Sequence, residues 1–334
     1  MSNVLLAITT ADRHMDNGRA LVRRGFEAAG WMAACHAASP PGMDCVDVAE
    51  IISWAQPRIV VAYPRYEWDS REWNGGRPHP TEPVLPEYRF HGFEALLARE
   101  DITRVAILHD ARSVMEEQRR WLADFQPHLV LGWYHERAVL PFWPEVAPEQ
   151  YERTYHSIDA ERVPRFTAER RRVCLISGAE NHHVYPLRTM AMAAARAGRL
   201  GPEVDAMPHP SYAHSGTSSD AYLQTMARYK VAVCTASAYQ FALRKLFEAT
   251  AAGCKVITDL ADWDALPEID GNLVRVAPDL TEHDLGEVIH HAAAHWDVDE
   301  QRHYAERACA RYDYRVECAR VAAALEQRAT ERAA

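Results

Sequence analysis

Residues 240–259, QFALRKLFEATAAGCKVITD, decide how the rest of the chain is read. They form a short loop, a helix with small residues on one side (Ala249, Ala251, Ala252), a glycine at the helix end (Gly253) and a β-branched strand (Val256, Ile257, Thr258) closed by Asp259. Loop, helix and strand in that order make half of a parallel α/β unit. Lys245 and Glu248 lie three apart and share one helix side, with Arg244 and Gln240 a turn upstream. A cation and a carboxylate at the start of a helix, where free backbone N–H groups also point outward, suit the phosphates and ribose of a nucleotide. The competing reading is a surface Lys/Glu pair, common on any helix; the small-residue run and the strand that follows weigh against it.

Outward from this stretch, the second half of the chain keeps alternating. A strand is predicted at 171–178 (RRVCLISG), then a loop AENHHVYPLR and a helix at 187–197. The Pro/His/Ser/Gly-rich tract MPHPSYAHSGTSSD precedes a helix at 221–229 and the strand KVAVCTAS at 230–237. After Asp259 come LADWDALPEIDGN, a short strand at 273–276 and helices at 281–295 and 299–326, with the tail QRATERAA expected to fray.

The first half has the same plan: a strand at 4–9, helices at 19–29 and 47–55, and the strand RIVVAY at 58–63. The stretch 64–86 is rich in Pro, Gly and charge and carries Trp68 and Trp73; a connection of that length is usually functional. A helix at 87–99, a strand at 104–109 ending in Asp110, a helix at 114–125 and a strand at 128–133 follow. Strands alternating with helices predict an α/β protein with parallel doubly wound sheets. The proline-containing segment around His156-Ser157-Ile158-Asp159 separates the two halves, so the predicted domains are 1–155 and 156–334.

A chain of 334 residues has room for two such cores. A net charge of -10 excludes nucleic acid as the main partner, because phosphate-backbone binding needs a basic surface. No apolar run approaches the length of a membrane span, and the first residues lack the features of a signal peptide. The seven scattered cysteines, with no C-x-x-C, read as reduced and buried thiols, so a cytoplasmic location is expected.

The run KLFEATAAGCKVITD resembles the donor-binding segment of GT-B glycosyltransferases, especially the "glycosyl transferases group 1" type, and HSID is similar to the tract that joins their two domains. The resemblance implies two Rossmann-like domains whose parallel sheets face a central cleft, with the acceptor on the N-terminal domain and a nucleotide-sugar donor, UDP-linked, on the C-terminal one. It also implies that Glu248, the second position of a Glu-x7-Glu signature, contacts the ribose, and that the first position contacts the sugar. That first position is Gln240 here, a departure that removes a charge. Size and layout are similar to antibiotic-pathway enzymes such as cytosylglucuronate synthases, which implies UDP-glucuronate as donor and cytosine as acceptor. Two other functions would use the same donor site: sugar-nucleotide epimerisation, and nucleotide-sugar binding without catalysis.

In an open parallel sheet, ligands sit where strands end and loops begin. In the second half this selects Ser177 and Gly178 with Tyr185 and Arg188, then Thr235 and Ser237, then Gln240, Phe241, Ala242, Leu243, Arg244 and Lys245, with Glu248 behind them. Gly178 lets a backbone approach a phosphate, and Arg188 adds a forked cation; a solvated helix residue and ordinary turn chemistry are the competing readings for Arg188 and for 235–237. In the first half, His14 is the first candidate for a general base deprotonating an acceptor, with Asp16 to orient it, because the imidazole pKa lies near neutral pH. Asp110 is the second candidate, as base or acceptor anchor, though a carboxylate there could equally cap a helix. His135 and Glu136 are third.

No metal and no cofactor is expected beyond the donor substrate. His291 and His295 have a metal-capable spacing without a third ligand, and Asp262-Trp263-Asp264 sits in the wrong context for a metal-binding Asp-x-Asp. Basic side chains and helix N-termini can neutralise a leaving diphosphate instead. Partners are then a nucleotide-sugar and a small molecule, with a homodimer left open.

Overall fold

The computed structural model describes residues 3–7, 17–35, 45–62, 89–91, 93–108, 115–208 and 219–333. The chain gathers into two compact units. One consists of Met1–Ala11, Arg23–Thr154 and Cys318–Ala334, the other of Asp12–Val22 and Tyr155–Glu317.

The elements before the second unit's sheet are β1 (Val4–Ala7), α1 (Asn17–Ala28), β2 (Met32–Cys35), β3 (Cys45–Asp47), α2 (Val48–Ala55), β4 (Ile59–Ala62), β5 (Arg89–His91), α3 (Phe93–Leu97), β6 (Thr103–Leu108), α4 (Met115–Phe125), β7 (Leu129–Gly132), α5 (Glu136–Val139) and β8 (Tyr151–Arg153). Six of the strands form one sheet in the order β2-β1-β4-β6-β7-β8, with every pairing parallel. β4, β6 and β7 are buried at every position. That is why their sequences read as continuous apolar runs: both faces of a parallel sheet are covered.

The predicted helix at 87–99 is not one element. Arg89–His91 pairs as a strand with Cys45–Asp47 in a separate two-stranded sheet, and only Phe93–Leu97 is helical. Pairing with a strand more than forty residues away overrides the local helical pattern, as tertiary context commonly does. The short strands β2, β3 and β8 escaped the sequence reading because three or four residues give no period to detect.

The remaining elements are β9 (Arg172–Gly178), α6 (Pro186–Arg196), β10 (Val204–Pro208), α7 (Ser219–Met226), β11 (Tyr229–Val233), α8 (Arg244–Ala251), β12 (Lys255–Thr258), β13 (Leu273–Arg275), α9 (Glu282–Ala294), α10 (Val298–Tyr312) and α11 (Tyr314–Ala333). The five strands form a second parallel sheet in the order β10-β9-β11-β12-β13. One apolar cluster around Tyr222, Leu246, Phe247 and Tyr312 includes residues of β9, β11 and β12, and a second, around Ile176, Val231, Ile257 and Leu285, takes the alternate residues of the same strands. Alternate side chains of a strand point to opposite faces, so this sheet is covered on both. β10 was not read from the sequence: VDAMP ends in proline and is only half-buried, as an edge strand can be.

Gly253 ends the α8 turn at φ +81°, and a Cβ there would lie 2.6 Å from the Phe166 ring. Only glycine fits both constraints.

The predicted helix at 299–326 is two helices broken at Asp313. The Asp313 carboxylate accepts the N–H groups of Arg315 (2.9 Å) and Ala160 (3.1 Å), so it starts α11 as a cap. Ile158 bridges the same break, donating to Tyr312 O and accepting from Tyr314 N, each at 2.9 Å. The tail does not fray: α11 runs to Ala333, Leu325 and Ala329 are buried, and Arg332 donates to Glu100 O at 2.9 Å. Residues from Cys318 onward cluster with the first unit, where the sequence reading placed the whole C-terminal stretch in the second domain.

Candidate functional site

Strand order fixes where the second unit can hold a ligand. β9 connects to β10 on one side and the chain then crosses to β11 on the other, so the order reverses between β9 and β11. At such a switch point the loops leaving the carboxyl ends of two neighbouring strands diverge and open a crevice. β9 ends at Ser177 and Gly178, the loop after β11 runs from Cys234 to Leu243, and α8 starts at Arg244.

Two buried cations tie these strand ends together. Lys245 Nζ donates to Ser177 O at 2.9 Å. Arg188, 2% exposed, donates from Nε to Thr235 Oγ1 (3.1 Å), from Nη2 to Thr235 O (3.2 Å) and from Nη1 to Ala179 O (3.4 Å), and its guanidinium lies 3.9 Å over the Tyr185 ring. Both converge on Gly178. A Cβ at that position would stand 2.3 Å from Lys245 Nζ and 2.9 Å from Arg188 Nη1, and φ is +137°, so only glycine leaves room there.

Two cations so close and so buried are costly without an anion. Burial first, and Arg188 second, lower the Lys245 ammonium from its ordinary 10.5 to about 7. Burial also lowers Arg188. The counterweights are Glu248, which acts on Lys245, and Asp259, which acts on Arg188 and whose Oδ1 accepts the Ala236 N–H at 2.6 Å. Burial pushes that carboxyl up to about 6, although the bond from Ala236 and the Arg188 charge oppose the shift. The arrangement is short of negative charge, and an anion beside Gly178 would supply it.

The helix offers the same preference. No side chain caps α8 at Leu243; the Leu246 N–H is taken by Leu243 O at 3.0 Å, which leaves those of Arg244 and Lys245 for a ligand. Glu248, 3% exposed, pairs through Oε1 with Arg244 Nη2 at 2.8 Å, but that oxygen accepts no well-aligned hydrogen bond. Gln240 adopts the left-handed conformation (φ +60°), and its Oε1 accepts the Ala261 N–H at 2.7 Å.

The site residues read from the sequence thus fall on one strand edge, with different roles. Ser177 presents its carbonyl, because its hydroxyl is spent on Tyr222 OH at 2.6 Å. Ser237 Oγ accepts the Tyr239 N–H at 3.2 Å, a turn contact. Phe241 and Ala242 are core residues and leave only backbone to a ligand. Asp259 and Tyr222 were missed as site residues; the first closes a predicted strand, which is a signal, while the second gives none.

In the first unit the order reverses between β1 and β4. The residues following those strands, 8–16 and 63–88, lie outside the described residues, and so do His14, Asp16 and Asp110. His135 Nδ1 accepts the Arg137 N–H at 3.2 Å and caps α5. Among the described residues no group of three His, Cys, Asp or Glu side chains could hold a metal, and the His291 and His295 rings lie 4.1 Å apart, tilted by 36°.

A family model described as glycosyl transferase-like matches residues 189–327. The solved structure of Anabaena HepE in complex with UDP superposes with a TM-score of 0.57 at 12% identity, covering 98% of this chain and 100% of that one. A sucrose-phosphate synthase from Thermosynechococcus elongatus (TM-score 0.59, 11% identity, 98% and 99% covered) and a glycosyltransferase from Rickettsia africae (0.60, 9%, 98% and 99%) share the fold. The chain has a GT-B fold, and its residues 189–327 are similar to a glycosyl transferase-like domain. No curated protein sequence matches it. The glycosyl transferase-like match takes in Thr235, Gln240, Lys245 and Glu248, and begins one residue after Arg188. No helix among the described residues is long and apolar enough to cross a membrane.

Proposed function

We propose that this glycosyltransferase moves a sugar from a UDP-sugar to a small-molecule acceptor. The observation that carries the reading is the convergence of buried Lys245 and Arg188 on the Gly178 backbone at the switch point of the second sheet. A diphosphate seated there meets two cations and the open N-terminus of α8, and the charge that develops on the leaving UDP falls among fixed donors. In this reading Glu248, on α8, takes the ribose hydroxyls, and Gln240 stands on the loop leading into the same helix. HepE has been solved with UDP and with UDP-glucose, which supports a uridine diphosphate as the donor half. The acceptor belongs to the predicted domain 1–155, with His14, oriented by Asp16, or Asp110 as the base; basic side chains of the donor site carry the role that a metal has in other glycosyltransferases.

The test is incubation with a panel of UDP-sugars and small acceptors, cytosine among them, with mass-spectrometric detection of UDP and glycosylated product. A product that appears with the wild type and is lost in Glu248→Ala supports the reading. Absence of UDP binding by the wild type refutes it.

A further inference from the structure

Of the 37 lysines and arginines in the chain only Lys230, Lys245 and Lys255 are lysines, so three side-chain amines are all it has to offer an electrophile. Lys255 Nζ pairs with Glu300 at 3.1 Å and donates to Gly271 O at 3.3 Å, and a carboxylate partner keeps an amine protonated. Lys230 is half-buried on β11. Lys245 is 7% exposed and stands beside a second cation, since its Nζ and Arg188 Nη1 both crowd the same side of Gly178.

The charged and titratable groups acting on Lys245 are Arg188 from α6, Cys234 after β11, and Glu248 one turn along α8. Glu248 pairs with Arg244 at 2.8 Å, and the Nζ of Lys245 donates to a neutral carbonyl, Ser177 O, at 2.9 Å. An amine desolvated next to a cation gives up its proton readily and becomes a nucleophile at neutral pH. At pH 7 about half of Lys245 is neutral, against about one in three thousand for an ordinary lysine.

Two features select the electrophile. It must be small and uncharged to reach a nitrogen buried against backbone, and its adduct must be an anion, because the crevice is short of negative charge. Carbon dioxide meets both conditions.

We infer that, when no diphosphate is bound, Lys245 takes up carbon dioxide as a carbamate that pairs with Arg188, so that carbon dioxide and the nucleotide compete for one pair of side chains. The neutral Nζ attacks the carbon of CO2: an N–C bond forms, one C=O π pair moves onto oxygen, and one N–H proton passes to solvent. The product, –NH–COO⁻, sets an anion beside the guanidinium. Arg188 Nη1 is the donor that turns to it, because its contact with Ala179 O is long at 3.4 Å and a bond to an ionised acceptor is stronger. The carbamate chemistry stands on these contacts alone; its competition with UDP rests on the donor-site reading above.

The experiment is ¹³C NMR in labelled bicarbonate buffer near neutral pH, with and without UDP, on wild type, Lys245→Met and Lys255→Met. Wild type and Lys255→Met are expected to give a carbamate resonance that Lys245→Met lacks, and UDP at about ten times its Kd in the same buffer should lower it about tenfold. An α-amino group, neutral above about pH 8, adds a second resonance common to all three proteins. Trapping the adduct on wild type with an oxonium methylating reagent, followed by peptide mass mapping, needs no variant and should mark Lys245. No resonance beyond that of the α-amine, one that Lys245→Met retains, or one unchanged while calorimetry shows UDP bound overturns the inference. A Lys245-dependent resonance in a protein that binds no UDP upholds the carbamate and refutes the donor-site reading instead.

Discussion

Replacing Lys245 by methionine separates what this side chain does to folding from what it does for binding. Nζ is buried, bonded to Ser177 O at 2.9 Å and crowded by Arg188, and these surroundings hold its pKa near 7 instead of 10.5. Between pH 7 and 10.5 the unfolded chain binds a proton on this group that the folded chain does not, so folding becomes more favourable as pH rises through that window. At or below about pH 7 the folded protein bears the full cost of a buried ammonium, several kcal/mol at about 1.4 kcal/mol per pH unit. Methionine removes that cost and leaves Ser177 O without its donor, a loss of about 1–3 kcal/mol. The net expectation at pH 6.5 is a variant stabilised by about 2 kcal/mol, or roughly 4–8 °C in Tm for a unit of this size, with the difference falling to zero at about pH 8.5 and reversing above it, where only the lost hydrogen bond remains. The same change removes a charged donor to the diphosphate and weakens UDP binding by about 10–150-fold. Thermal melts of the apo-protein between pH 6 and 10.5, with calorimetric titration of UDP at pH 6.5, measure both. A variant less stable than the wild type at pH 6.5, or one that binds UDP as tightly, would refute the account of Lys245 as a cation held ready for an anion.

Three further outcomes follow from the same geometry. UDP affinity of the wild type should fall as pH rises above 7, approaching about tenfold per pH unit, because the bound anion restores the proton on Lys245; titrations in buffers of different ionisation enthalpy should show proton uptake, and a flat profile from pH 6 to 9 would contradict it. Glu248→Ala should weaken UDP about tenfold or more while leaving inorganic pyrophosphate unchanged, since pyrophosphate has no ribose; an equal loss of both would assign Glu248 to the phosphates or to the fold. Gly178→Ala forces a Cβ to within 2.3 Å of Lys245 Nζ at a φ of +137°, so it should abolish UDP binding and lower Tm by several degrees, and an alanine variant with normal affinity would show that the backbone there is not the phosphate cradle.

Long periodic elements and strand ends carried most of what could be read from the sequence. The stretch 240–259 encodes its loop, helix and strand because α8 and β12 are built from their own residues: small side chains on the packed side, Gly253 where φ must be positive, and β-branched residues in the strand. Arg188 and Lys245 were legible as candidates because each lies in the first turn of the helix that follows a strand. Their mutual proximity was not, since 57 positions separate them and only the pairing of β9 with β11 brings them to one point. The hydrogen bond of the Gln240 side chain was hidden for the same reason: its partner, Ala261, lies beyond the next strand. Strand pairing also made Arg89–His91 a strand within a helical pattern, and the cap at Asp313 broke a helix that looked continuous.

The central claim is that the crevice between β9 and β11 holds a nucleotide diphosphate, and a crystal structure of the protein with UDP tests it most directly. The account predicts the diphosphate against the Gly178 backbone, within hydrogen-bond distance of Lys245 Nζ and Arg188, with the ribose hydroxyls on Glu248. UDP bound elsewhere on the chain, or seated in this crevice with neither cation in contact, would contradict it.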